Sequence, residues 1–365
     1  MRRRAHALII LSVMLVAFLA VPVFANGSGE DTMYIPVVSK GLQHQFWQTV
    51  KAGSEAAAAD LGVEITFEGP ASEADIQDQV IMLQNAMAKN PSAVALAALD
   101  TNSVMDQLQE AIRREIPVVG FDSGVPNAPE GSIYANASTD NYAAAGVAAE
   151  EMFKVLKDDI EAATDENPVT IVVMNQDASG ESLLSRGRGF RDKLIELVAM
   201  ETSLSRSDIA VVGNPAYVAA DSPTGGSKLI IDMVVPASPR TQDAVAAAGA
   251  VFNRIEDDNI VGIFCSNEGT VVGILAATND GADLATTYSG LVLVGFDAGE
   301  AQKNAVRQQY FLGSVTQDPY QIGYKAVELA YNAAMGKSVS DVDTGAKFYN
   351  YENMDEPDIA QLLYD

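Results

Sequence analysis

Short apolar runs and amphipathic stretches take turns along most of this chain. Tyr34 to Val38 is a run of strand type, and Phe46, Val50, Gly53, Ala57 and Leu61 then recur at three- and four-residue spacing, as one face of a helix does. Ile76, Val80, Leu83 and Met87 repeat that spacing behind Ser72, a cap candidate. The alternation continues with strands at Ala93 to Leu99, Pro117 to Phe121 and Val169 to Met174. Between and after them lie helices over Ser103 to Arg114, Asn141 to Leu156 and Ser182 to Val198. Strands that are apolar throughout, alternating with amphipathic helices, predict parallel sheets covered on both faces, the doubly wound α/β architecture. The stretch from Ser203 to Pro239 is the least regular. It is interrupted by Asn214-Pro215, Ser222-Pro223, Gly225-Gly226, Pro236 and Pro239, and it holds one strand candidate, Leu229 to Val235.

An internal echo refines this picture. Val118-Val119-Gly120-Phe121-Asp122-Ser123-Gly124 recurs as Leu293-Val294-Gly295-Phe296-Asp297-Ala298-Gly299. Two similar α/β lobes, each ending a strand in Phe-Asp, would form a cleft between their strand ends, where ligands sit in open α/β sheets. The 365 residues are enough for two such lobes.

Charge narrows the function. With 23 Lys+Arg against 49 Asp+Glu the net charge is −26, a field that repels phosphates, so no nucleic-acid partner is expected. Cys265 is the sole cysteine, which excludes an intramolecular disulfide and a thiolate metal cluster. His6 and His44 are too few for a His-rich metal site. Arg2, Arg3 and Arg4 precede an apolar stretch from Leu8 to Leu19, and Val23-Phe24-Ala25 supplies small residues before Asn26. This is the pattern of a cleaved export signal over residues 1–25; as an anchor helix the run would be shorter than the ~20 residues a span requires. Three arginines leave with it, which makes the mature chain −29. No cysteine sits near the cleavage point to carry a lipid, and an exported, cysteine-poor chain fits a periplasm.

The residues just after each apolar run are Ser39 and Lys40, Asp100, Asp122, Asn175 to Asp177, Asn267 and Glu268, Asp297, and Gln317. Carboxylates and amides can bridge vicinal hydroxyls, and Phe46, Trp47, Phe121 and Phe296 lie nearby to cover the C–H face of a sugar ring, so the set suits a polyhydroxylated ligand. The same residues also admit plainer roles: the phenylalanines and Trp47 as core, Asp122 and Asp297 as helix caps. Two strand-end aspartates could alternatively serve as an acid–base pair in a secreted glycoside-processing enzyme. Yet no Gly-x-Ser-x-Gly elbow, phosphate-binding glycine loop or His-Glu-x-x-His motif occurs, and Ser39-Lys40-Gly41-Leu42-Gln43 lacks the glycine cluster of a dinucleotide site. No cofactor or metal is expected, and binding is favoured over turnover.

The chain resembles a periplasmic sugar-binding protein of the ribose and galactose type, the solute receptors of ABC importers related to the core of LacI-type repressors. The resemblance covers nearly the whole mature chain. It rests on Leu42-Gln43-His44-Gln45-Phe46-Trp47, Ile116 to Asp122, Thr139-Asp140-Asn141, Arg186-Gly187-Arg188-Gly189-Phe190, Asn267-Glu268-Gly269, Val294 to Asp297, and Gln317 to Gly323. It implies two lobes of type I periplasmic binding protein architecture, 31–139 plus 318–346 and 140–317 plus 347–365, joined by three crossovers. These lobes would close on a monosaccharide or related polyol and present the closed form to a membrane permease, with a chemoreceptor or sensor as a further partner. By the same resemblance Phe46 and Trp47 sandwich the ring and His44 makes a polar contact. Asp122, Asn267, Asp297 and Gln317 bond hydroxyls, Arg186 donates from the second lobe, and Phe296 packs against the ring. The chain departs from ribose binders at Ala97-Ala98, where they carry Asn, and at Ser123, where they often carry Arg. That argues against ribose itself and leaves open a receptor for a furanone-type signal. The 203–239 stretch falls where the family places a second-lobe aromatic.

Overall fold

Two sheets carry the molecule. The first contains β1 (Tyr34–Val38), β2 (Glu64–Glu68), β3 (Val94–Leu96), β4 (Val118–Phe121), β5 (Ile133–Ser138) and β12 (Val342–Asp343), in the order β12-β5-β4-β3-β1-β2. The second contains β6 (Val169–Met174), β7 (Ile209–Gly213), β8 (Leu229–Val234), β9 (Ile260–Cys265), β10 (Val292–Phe296), β11 (Gly313–Gln317) and β13 (Ala346–Tyr349), in the order β13-β11-β10-β9-β6-β8-β7. Neighbouring strands run parallel, except that β13 lies antiparallel on β11. This is the expected doubly wound α/β fold in two lobes. The computed structural model describes residues 32–218, 222 and 226–364; the export-signal segment lies outside the described residues.

Helices cover both faces of each sheet, as strands buried on two sides require. On the first sheet α1 (Gln45–Leu61) packs against α9 (Pro319–Ala334), while α2 (Ile76–Ala88) packs against α3 (Met105–Arg113). The α1–α9 contact is close because each helix offers a glycine at the crossing. A Cβ on Gly53 would collide with the Tyr320 carbonyl, and one on Gly323 with the Val50 carbonyl. On the second sheet α4 (Asn141–Ala162) packs on α5 (Glu181–Glu201), and α6 (Thr241–Phe252) on α7 (Glu268–Ala277), followed by α8 (Glu300–Arg307).

The chain passes between the sheets three times: from β5 into α4, from β11 into α9, and from β12 into β13. Aspartates pin these crossings. Asp140 accepts from the Ala143 N–H at the start of α4 and Asp318 from the Gln321 N–H at the start of α9, each satisfying an orphan helix donor. Asp341 accepts from the Asn136 N–H, and Asp343 from the N–H groups of Asp140 and Gly345.

Three strands depart from the expected alternation. β2 and β7 are edge strands, and β5 alternates Ile133, Ala135 and Ala137 with Tyr134, Asn136 and Ser138. β2 and β5 lack the continuous apolar run of a central strand; β7, Ile209-Ala210-Val211-Val212-Gly213, has one, but it sits in the stretch broken by Asn214-Pro215 and Ser222-Pro223. β7 also corrects the reading of 203–239 as loop around one strand, since Ile209–Gly213 pairs in parallel with β8 from Leu229 to Met233. β3 is shorter than the apolar run predicts. The Gln79 amide donates to the Ala97 carbonyl and accepts from the Leu99 N–H, which leads the chain out of the sheet while keeping it buried. Helix α2 begins after Asp75, and Ser72 Oγ accepts from the Ala74 N–H instead of capping it.

Candidate ligand-binding site

The sequence echo occupies equivalent places in the two sheets: β4 and β10 are each third from the end carrying β12 or β13. Each ends in Gly-Phe-Asp, and both aspartates take positive φ, 54° at Asp122 and 82° at Asp297. Outside glycine this conformation is uncommon, and held strain of that kind concentrates where side chains must be aimed. Both carboxylates line one pocket, together with Lys40, His44, Phe46, Trp47, Glu73, Leu183, Arg186, Asn267, Glu268 and Gln317. These residues come from both sheets and their connections, so the pocket lies between the lobes.

From the first lobe, Lys40 follows β1 directly and places Nζ 3.0 Å from Asp122 Oδ2. It also donates across the cleft to Ser182 Oγ at 3.1 Å. Burial works against the Lys40 charge, but Asp122, Glu73 and Asp177 outweigh it and hold the ammonium above the usual lysine range. Trp47, on the first turn of α1, donates from Nε1 to Glu73 Oε1 at 2.8 Å, and Gln176 of the second lobe donates to the other oxygen of Glu73. Glu73 is buried, which disfavours its charge, yet Lys40, His44 and these two donors keep its carboxyl below the ordinary range.

From the second lobe, Arg186 on α5 donates to Asn141 Oδ1 at 2.8 Å and to the Ser266 carbonyl at 3.0 Å, with Asp297 Oδ2 3.6 Å away. Asp297 accepts from Gln317 Nε2 at 2.7 Å and from the Glu268 N–H at 3.1 Å. Asn267 caps α7 through the Thr270 N–H and donates to Gln176 Oε1. His44 Nδ1 lies 3.8 Å from Glu268 Oε1, an ion pair across the cleft at a separation longer than a hydrogen bond. Burial alone would lower its pKa, but Glu268, Glu73 and Asp297 together raise it to about 9. Two buried acceptors in the lining, Gln317 Oε1 and Glu268 Oε2, have no hydrogen-bond donor among the described residues.

Eight of the nine residues singled out from sequence therefore line one pocket; Phe296 does not. Its ring is fully buried beneath the Arg186 guanidinium, 3.8 Å above it, so the cation and not the ring meets the pocket. The pairing of Phe46 and Trp47 as two slabs is likewise corrected. Neighbours on one helix point about 100° apart, and their rings meet edge to face, 4.9 Å between centroids at 89°. Lys40, Gln176 and Glu268 stand at strand ends and were legible as such. Glu73 was not, because it follows β2, a strand without an apolar run, and Leu183 lies inside α5 with no local signal. Among the described residues no group of His, Cys, Asp or Glu could hold a metal ion, and no helix is long and apolar enough to cross a membrane.

Two parallel-sheet lobes, three crossings and a polar pocket between the strand ends define a type I periplasmic binding protein fold. The chain belongs to the family described as periplasmic binding protein domain, which it matches over residues 35–338. It is 38% identical to an ABC transporter, LacI family transcriptional regulator from Brachyspira murdochii, with a TM-score of 0.75 over 92% of this chain and 99% of that one. It is 28% identical to an ABC transporter solute binding protein from Agrobacterium vitis with bound D-fucose, with a TM-score of 0.73 over 91% and 100% of the two chains. The D-allose-binding periplasmic protein of Escherichia coli K12 is 24% identical over 318 residues, 86% of this chain and 88% of that one. The family binds solutes without transforming them, which sets aside the glycoside-processing alternative.

Proposed function

We propose that this chain captures a monosaccharide or related polyol between its lobes and presents the closed complex to the permease of an ABC importer. The observation that carries this reading is the pair of buried acceptors, Gln317 Oε1 and Glu268 Oε2, in a pocket that Phe46 and Trp47 also line. Leaving a buried polar atom unpaired costs about 1–3 kcal/mol, and sugar hydroxyls are donors that would satisfy both while the ring lies against the aromatics. The D-fucose in the Agrobacterium vitis protein and the allose of the Escherichia coli protein's name support the same ligand class. On this reading Asp122, Asp297, Asn267, Gln317, Arg186 and His44 contact hydroxyls. Residues 31–139 with 318–346 close as one body on 140–317 with 347–365. Residues 1–25 are an export signal that delivers the chain to the periplasm, where a chemoreceptor or sensor would read the same closed form.

The test is a melting screen of the chain from Asn26 against pentoses, hexoses, sugar alcohols and furanone signals. Fluorescence of Trp47, the single tryptophan, is the second readout. One narrow sugar class should raise the melting temperature, by about 2.7 kcal/mol of stabilisation at a hundredfold excess over Kd, and change the emission. A flat response to every sugar would sink the proposal, and a response to furanones alone would assign the chain to signalling.

A further inference from the structure

Seven ionisable side chains line the pocket, and they pair off unevenly. Lys40 is matched by Asp122 at 3.0 Å, His44 by Glu268 at 3.8 Å and Arg186 by Asp297 at 3.6 Å. Glu73 is the fourth carboxylate. Its oxygens accept from the neutral donors Trp47 Nε1 and Gln176 Nε2, and among the described residues it makes no ion pair within 4 Å. It is only 6% exposed, so water screens it little. A lysine, an arginine and a histidine in one pocket would by themselves suit an anion. Here each is already matched, and the fourth carboxylate leaves the enclosure with one negative charge in excess, His44 being protonated at neutral pH.

We propose that Glu73 sets the charge of the ligand: the pocket bars anionic sugars such as uronic acids and sugar phosphates, and admits neutral and ammonium-bearing ones. This deepens the sugar-receptor reading and rests on it. A carboxylate on the ligand would share the enclosure with Glu73 and could recruit Lys40 or Arg186 only by stripping Asp122 or Asp297 of its partner. At a separation of a few ångströms and an effective dielectric near 20, like-charge repulsion corresponds to about a hundredfold in affinity or more. An ammonium on a ring carbon meets the opposite field. The cleft-spanning contact of Glu73 with Gln176 makes the same residue part of closure, so the choice is exercised as the lobes come together.

The experiment is titration calorimetry with D-galactose, D-glucose and D-allose, the uronates of the first two, and their 2-amino-2-deoxy analogues. The wild-type chain is compared with Glu73→Gln and Glu73→Asp, and melting curves establish that each variant is folded. The quantity read is the ratio of uronate Kd to the Kd of the best-bound neutral hexose. In the wild type it should be at least about a hundred, with the amino sugars within about tenfold of their neutral parents. Glu73→Gln should lower the uronate ratio at least about tenfold and weaken the amino sugars, while Glu73→Asp should retain the wild-type ordering. A pocket merely loosened by substitution loses all sugars alike and leaves the ratios in place, which would overturn the assignment. Uronate binding within tenfold of the neutral parent in the wild type would overturn it outright. If no neutral sugar binds at all, the receptor reading falls, and this inference falls with it.

Discussion

In both lobes the strand third from the β12 or β13 edge ends in Gly-Phe-Asp with the aspartate at positive φ, yet the two lobes load that turn differently. In the first lobe Asp122 answers to one side chain, Lys40, and the preceding Phe121 packs edge to face beneath Trp47, 6.4 Å between centroids. In the second, Asp297 is a hub. Its carboxylate faces Arg186, holds Gln317 and caps the first turn of α7, while its carbonyl accepts from Ser314 Oγ and Tyr349 Oη. The turn before it is roofed by a guanidinium where the first lobe has an indole. The same short sequence thus serves in one lobe as the end of a single ion pair and in the other as the junction of a strand, a helix and a buried cation. The rest of each lobe decides which.

The sharpest way to break that comparison is to truncate the hub. Asp297→Ala strands Arg186 without its carboxylate and leaves Gln317 Nε2 and the Glu268 N–H without their acceptor. Orphaning a buried charge costs about 3–5 kcal/mol. Calorimetry should show a lower melting temperature, and sugar binding should be lost. Asp122→Asn keeps the shape and leaves Glu73 and Asp177 to face Lys40, so about 1–2 kcal/mol of stability should go. The melting screen should then show at least a tenfold weaker sugar response from a nearly intact fold. If Asp122→Asn proves the more destabilising of the two, the hub belongs in the first lobe and the comparison is inverted.

The same contrast marks what could be read from the chain beforehand. Central strands announce themselves because burial on two faces demands unbroken apolar runs, so β1, β4 and β6 were plain, and with them the residues at their ends. Edge strands need only half an apolar pattern, so β2 was invisible, and Glu73, which depends on β2 for its position, went with it; β7 is apolar throughout, Ile209-Ala210-Val211-Val212-Gly213, and was hidden instead by the proline- and glycine-broken stretch that follows it. Residues after strands could be nominated as a set, since the topology gathers strand ends. The partner each would take could not, because Arg186 reaches Asp297 across 111 residues of chain and Trp47 reaches Glu73 through a fold that no local spacing encodes. Phe296 shows the limit of nomination by position: the right turn was found, but the guanidinium over it comes from another element.

Between the lobes, His44 and Glu268 make the comparison sensitive to pH. The His44 pKa in the folded chain, about 9, lies above its ordinary value near 6.5 because the carboxylates of Glu268, Glu73 and Asp297 outweigh burial. Protonation therefore favours the folded, closed arrangement. The stabilisation is fully present below pH 6.5 and is lost as pH rises through about 9. The melting temperature should fall between pH 6 and pH 9.5 in the wild type and fall less in His44→Gln. Equal slopes in the two proteins would show that the ion pair across the cleft does not govern closure.

The smallest effect is expected at the rim. Arg240, just before α6, reaches over the cleft to Asp75, at the start of α2, with 3.0 Å between Nη2 and Oδ1. Arg240 is about half exposed, so its pairing is screened, and surface ion pairs contribute about 0–1 kcal/mol. It is formed between the lobes and touches nothing in the pocket, so its whole contribution goes to the closed state and none to ligand contacts. Arg240→Ala should raise the sugar Kd no more than about threefold, leave the uronate ratio unchanged, and open the unliganded chain measurably in small-angle scattering. A tenfold loss of affinity would mean that the rim, and not the paired aspartates beneath it, holds the two lobes together.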